Sequence, residues 1–261
     1  MNESLANSSG HILFLGYSEN ETSLIKEIRN RGFRVSYSNH LVDTFNDYDL
    51  VVSFGFREKI SKALLDASKR PPVNLHISYL PWNRGAHPNF WSHWDGTPSG
   101  VTIHEVWPEF DAGPIIFQKM VEINPETETF EASYTKLRQE VELLFLEKFE
   151  NILSKDYKTK PQRGSGSLHK ANELPEDFTG WQSLISAEIL RLEKTGFNPH
   201  KRTLDLIDEI EKVRTLNNIN WMDLLRVVAR LSPQELAQIT RRINENDLQI
   251  MELFKKLGNT N

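Results

Sequence analysis

Asn74 and His76 close the short run VNLH, and in a β-strand residues two apart point to the same side of the sheet. A carboxamide and an imidazole placed together in this way can meet one substrate atom. Moving an acyl group onto an amine needs a polarised carbonyl, a group that manages the proton of the amine, and a third group that fixes the first two. An asparagine NH2 can donate to a developing oxyanion, a histidine can accept the proton or donate to the oxygen, and a carboxylate orients the imidazolium. Asp111, in the turn-rich string WPEFDAG, is the carboxylate selected for this set. The same spacing is met by polar side chains that only cap neighbouring backbone, and Asp-Ala-Gly is a favourable turn whatever its chemistry.

These residues need elements to hold them, and the sequence pattern supplies an α/β order. HILFLG, FRVSY and DLVVSFGF read as strands, with helical spacing through Leu24, Ile25 and Ile28 between the first two. Ile60, Leu64 and Leu65 share a helical face that Arg70-Pro71-Pro72 ends before the strand carrying Asn74 and His76. This alternation predicts a doubly wound (Rossmann-like), parallel sheet with ligands beyond the strand ends after Leu15, Phe54 and Leu75. GVTIHEV and PIIFQKMVEI read as two further strands around WPEFDAG, and a long helix follows with Thr129 as N-cap.

The segment KPQRGSGSLHK breaks the helical pattern and reads as a flexible linker or a tight hairpin with a glycine turn. Beyond it the chain reads helical. One face gathers Trp181, Leu184, Ile185, Ile189 and Leu192, and a second Leu206, Ile207, Ile210 and Val213. A third helix is predicted from Asn220, and Ser232-Pro233-Gln234-Glu235 announces a last one. The expected division is 1–175 and 176–261.

Composition narrows the function classes. The 261 residues carry a formal charge of -5 and no cysteine, which excludes disulfides, thiolate metal sites and a cysteine nucleophile. The basic pairs Arg241-Arg242 and Lys255-Lys256 are interleaved with acidic residues, so no nucleic-acid partner is expected. The apolar run from Ile12 to Leu15 is too short for a signal core or a membrane span, and the expected location is cytoplasmic, without membrane contact. His87, His93 and His104 lack a metal-ligand spacing, so no metal is expected.

The strings NLHISYLPWNRGAHPNFW and GVTIHEVWPEFDAGPII closely resemble, in order, the signature of the folate-dependent formyltransferases. The resemblance covers roughly residues 10–170 and implies that Asn74, His76 and Asp111 are catalytic, with 10-formyltetrahydrofolate as the formyl-donating cosubstrate and a Rossmann-like domain. By the same resemblance Phe54, Gly55, Phe56, Leu80, Trp107 and Glu109 are candidates for the donor pocket, and Trp82, Arg84, Asn89 and Trp91 for the acceptor. Trp94, with Trp82, Trp91 and Trp107 in the two strings that flank it, is a further surface on which a flat ligand can stack, or else packing. The helical tail is unlike the basic β-barrel tail of methionyl-tRNA formyltransferases and longer than expected of glycinamide ribonucleotide enzymes. It resembles most the sugar N-formyltransferases, which act on amino groups of nucleotide-linked (dTDP or similar) deoxysugars for surface polysaccharides. Those enzymes carry a β-hairpin after the core and often form homodimers. A methionyl-tRNA-formylating enzyme and a non-catalytic sugar-nucleotide or folate-binding module are the alternatives.

Overall fold

A computed structural model describes residues 10–164, 166–197, 209–213 and 233–258. In chain order its elements are β1 (His11–Gly16), α1 (Leu24–Asn30), β2 (Arg34–Ser38), β3 (Leu50–Phe54), α2 (Lys62–Asp66), β4 (Val73–His76), β5 (Arg84–Gly85), α3 (Pro88–Trp94), β6 (Gly100–Glu105), β7 (Ile115–Met120), α4 (Phe130–Glu147), α5 (Phe149–Ser154), β8 (Leu168–His169), α6 (Ile185–Lys194) and α7 (Pro233–Gly258). Contacts divide the chain into two compact units, Met1–Thr195 and Gly196–Asn261.

Six strands form one sheet in the order β2-β1-β3-β4-β6-β7. The first four run parallel, as their apolar runs predict: Ile12 to Leu15 and Leu50 to Phe54 are buried on both faces. β6 and β7 are antiparallel additions, so the sheet is mixed. One face packs on α1, α4 and α5 through Leu24, Ile28, Leu137, Val141, Phe145 and Phe149. The opposite face is covered by Phe45, Ile60 and the half-buried Leu64 and Leu65 of α2, which completes the doubly wound architecture.

α4 is the main buttress of the sheet. Thr129 caps it as predicted, accepting the Ala132 N–H at 3.0 Å, and its buried apolar side chains contribute about 1.5–3 kcal/mol each. Trp181 and Leu184, by contrast, stand outside the helix expected to hold them. Gly180–Gln182 form a 3-10 turn, and α6 starts only at Ile185. The N–H groups of Ile185 and Ser186 are taken by the carbonyls of Glu128 and Pro125, so this first turn is docked on the approach to α4. The Trp181 ring instead packs edge-on against Phe178 at 5.0 Å.

The segment 160–170 forms no self-paired hairpin among the described residues. Lys160 bridges Ile115, and β8 pairs in parallel with β5. In the second unit α7 begins at Pro233, where the sequence places it, and Ile210 and Val213 lie in a helical stretch at 209–213. Leu206, Ile207, Asn220 and Ser232 lie outside the described residues. No helix among the described residues is long and apolar enough to cross a membrane.

Replacing Thr129 with Ala removes the acceptor at the N-terminus of α4 and is expected to lower the unfolding free energy by about 1 kcal/mol. A urea melt monitored by circular dichroism reads the shift in midpoint, and Thr129→Ser recovers most of it.

Candidate active site

β4 and β6 pair antiparallel with Asn74 opposite His104 and His76 opposite Thr102, so two polar pairs spaced by two share one face of the sheet. The loop between β6 and β7 closes over them. Gly113 is required in that loop because a Cβ there would lie 1.7 Å from the Glu105 carbonyl. Asp111 adopts the left-handed region, φ +50°, and Gln162 Nε2 holds the carbonyls of Asp111 and Gly113 at 2.6 and 2.8 Å. The turn is thereby fixed from outside the sheet.

The Asp111 carboxylate is the hub. Its Oδ1 accepts from Asn74 Nδ2 at 3.0 Å and lies 3.4 Å from His104 Nε2. Its Oδ2 accepts the Gly85 N–H at 2.8 Å and faces His76 Nδ1 at 3.6 Å, ion-pair range but longer than a hydrogen bond. His76 Nε2 meets the Asn83 carbonyl at 3.0 Å. A carbonyl only accepts, so Nε2 carries a proton, and in the neutral ring Nδ1 holds the lone pair. His104 is fixed by the same logic: Nδ1 donates to the Glu105 carbonyl at 2.8 Å and Nε2 accepts from Asn74 Nδ2 at 3.1 Å. Both hydrogens of the Asn74 amide are therefore committed, and that amide meets an oxyanion only by exchanging one of these bonds.

Burial of Asp111 opposes its charge. The charge that His76 and His104 carry when protonated, with the Gly85 N–H, outweighs that penalty and holds its carboxyl well below the usual carboxylate range.

Asn74, His76 and Asp111 thus converge as their sequence pattern suggests. Of the expected donor-pocket residues, Phe56, Trp107 and Glu109 line a cleft together with Asn74, His104 and Asp111. Phe110 lines it as well, a residue in the WPEFDAG string that the sequence reading passed over. Trp107 and Phe110 expose about half their surface, 52% and 53%. The Phe54 side chain instead packs edge-on against Tyr17 at 4.8 Å, and Gly55 backs onto the same ring. Leu80 is buried, its N–H on Thr102 and its carbonyl on Gln118.

On the acceptor side, Trp82 and Arg84 are half-buried, and Arg84 Nε approaches the Ser167 carbonyl at 3.5 Å. Asn89 and Trp91 are buried. Asn89 ties α3 to α4, donating to the Phe130 carbonyl and accepting from Ser133, both at 3.0 Å. Trp91 stacks on His169 at 4.0 Å. These contacts take both side chains into the core, away from any surface a soluble ligand reaches. His93 is pushed down to about 4 by burial, and His87 sits in the left-handed region at the start of α3. Among the described residues no group of three or more histidine and carboxylate side chains is placed to hold a metal ion.

The pattern of the formyl transferase family matches residues 17–170. A dTDP-4-amino-4,6-dideoxyglucose formyltransferase of Mycobacterium tuberculosis is 34% identical over 148 residues, 56% of this chain and 59% of that protein. The chain thus matches less than two thirds of that relative's length. A methionyl-tRNA formyltransferase of Geobacillus thermodenitrificans is 34% identical over 125 residues, 48% of this chain and 39% of that protein. Among solved structures, the formyltransferase PseJ from Anoxybacillus kamchatkensis, in complex with UDP-4,6-dideoxy-4-formamido-L-AltNAc and tetrahydrofolate, superposes with a TM-score of 0.63 at 33% identity. That superposition covers 69% of this chain and 97% of the other.

Because the folded state holds the Asp111 carboxyl below its ordinary value, the stabilisation it brings is present above the unfolded pKa of about 3.9 and is lost as pH falls towards the folded value. The stability advantage of the wild type over Asp111→Asn is expected to shrink as pH falls below about 4. Denaturant melts of both proteins above and below that pH check it.

Proposed function

The chain belongs to the formyl transferase family, and on that footing we propose that it transfers a formyl group from 10-formyltetrahydrofolate to the amino group of a nucleotide-linked amino-deoxysugar. The observation that carries this reading is the convergence of Asn74, His76 and Asp111 on one carboxylate hub, beside a cleft with aromatic walls. The relative that acts on a dTDP-amino sugar and the solved structure holding a formamido sugar with tetrahydrofolate support the acceptor class. Modified sugars of this kind suit surface polysaccharides, and we assign the enzyme to the cytoplasm as a homodimer.

A flat, partly apolar donor fits the cleft, since Phe56, Trp107 and Phe110 offer ring faces next to Asn74 and Asp111. The donor supplies the formyl carbon, and the chain supplies the rest. Asn74 turns one amide hydrogen from His104 or Asp111 onto the oxygen where negative charge develops. His76, with Nε2 committed to the Asn83 carbonyl, offers Nδ1 to the proton of the attacking amine. Asp111, already facing Nδ1, compensates the imidazolium that forms. That proton is then available to the leaving nitrogen of the donor.

Losing an oxyanion donor costs about two to three powers of ten in rate and losing a general acid–base group about two to four, so Asn74→Ala and His76→Ala are expected to lower kcat by about those factors respectively with the fold retained. The assay presents dTDP- and UDP-linked 3-amino and 4-amino deoxysugars with the formylated folate and follows the formamide product by mass. Formylation of charged initiator tRNA in place of any sugar refutes the acceptor class. Affinity for the sugars without turnover assigns the chain to the binding modules, and undiminished kcat in either variant removes the mechanism.

A further inference from the structure

We infer that Ser167, which touches no reacting atom, is a positioning residue that fixes the tautomer of His76 through Asn83. The inference rests on the reading of His76 as the group that accepts the amine's proton.

Asn83 is fully buried and holds φ +56°, a left-handed conformation that asparagine tolerates better than most residues but that still needs partners to hold it. In that conformation its carbonyl points at His76 Nε2, 3.0 Å away. The backbone is kept there by a single hydroxyl working in both directions. Ser167 Oγ accepts the Asn83 N–H at 2.8 Å and donates to Asn83 Oδ1 at 3.0 Å. The remaining amide of Asn83 donates to Thr97 Oγ1 at 2.7 Å, so the side chain is held from two sides.

The segment bearing Ser167 is itself anchored. Ser167 N–H donates to the Pro81 carbonyl at 3.2 Å, and its own carbonyl accepts the Arg84 N–H at 3.0 Å. β8 then pairs with β5, where a Cβ on Gly85 would lie 2.4 Å from the His169 carbonyl. The Gly85 N–H that this pairing presents is the one on Asp111 Oδ2. Asn83, just before the ribbon, therefore aims its carbonyl at His76, and Gly85 within it aims its N–H at Asp111.

Chemically, the carbonyl selects the Nε2–H form and leaves the lone pair on Nδ1, the nitrogen facing Asp111. Were Asn83 to relax towards an ordinary φ, its carbonyl would turn away and the proton would redistribute between the two nitrogens. A share of His76 would then present the wrong atom to the amine.

The test uses uniformly 15N-labelled full-length protein and reads the His76 ring nitrogens by long-range 1H–15N correlation, alongside kinetics with the amino sugar. In the wild type, Nδ1 is expected at the shift of an unprotonated nitrogen and Nε2 at that of a protonated one. In Ser167→Ala the two shifts move towards each other, and kcat falls by about 10²-fold, the size of effect a remote misplacement near 1 Å produces, with both KM values within about twofold. Ser167→Thr, which keeps the hydroxyl, restores shifts and kcat together. Unchanged nitrogen shifts in folded Ser167→Ala overturn the inference, as does a loss of kcat that Ser167→Thr leaves unrepaired. Should Ser167→Ala fail to fold, Ser167→Cys, with a weaker donor and acceptor at the same place, is read by the same two measurements. If the wild type formylates no amine, the proposed function falls, while the nitrogen shifts still decide whether Ser167 sets the tautomer.

Discussion

A carboxylate taken out of water must be met by donors or it will not stay charged, and the site is organised around that constraint at Asp111. Its two oxygens accept from Asn74 and the Gly85 N–H, and His76 and His104 stand within ion-pair range for the charge each carries when protonated. These partners come from β4, β5 and β6, three strands of which β5 belongs to a different sheet, paired with β8. Satisfying one buried charge therefore ties the edge of the parallel sheet, its antiparallel extension and the segment after α5 into one unit. The same ties fix the imidazole and carboxamide that the chemistry needs.

Much of this was legible in residue types. The i, i+2 pair Asn74 and His76 announced a shared face, and the apolar runs of β1 and β3 announced strands buried on both sides. His104 carried a readable signal that went unused: Thr102 and His104 repeat the two-residue polar spacing on the next strand. Facing it against Asn74 and His76 requires the antiparallel register, and nothing local in either strand states which direction its neighbour runs. β5 and β8 were beyond reach for a different reason. Strands of two residues have no period to detect, and their pairing joins Arg84–Gly85 to Leu168–His169 across most of the domain.

Asn89 and Trp91 show where residue type misleads. An indole near a motif suggests a stacked ligand, yet α3 turns Trp91 onto His169, whose other ring contacts are the carboxylates of Asp95 and Glu173. The large apolar body is better used in the core than at a wet cleft. Trp107 lies in the loop after β6, and its ring stays about half exposed in the cleft that Asp111 also lines. Burial of an aromatic is thus decided by whether its element is sandwiched, information that arrives only with the topology.

The backbone around the hub adds a last point. Asn83 and Asp111 both sit at positive φ, a region sparsely populated by residues with a Cβ and one that asparagine and aspartate enter more readily than most. Such conformations persist only when their surroundings over-determine them, and here each is held by several bonds: Ser167 and Thr97 on Asn83, Gln162 on the carbonyls of the Asp111 turn. Relaxing either residue would turn away a group aimed at the hub, the Asn83 carbonyl from His76 or the Asp111 carboxylate from Asn74. The strain and the alignment are consequently one feature. The polar side chains that look like ordinary loop pins, Ser167 and Gln162 above all, hold this left-handed backbone in the geometry that the proposed chemistry would use.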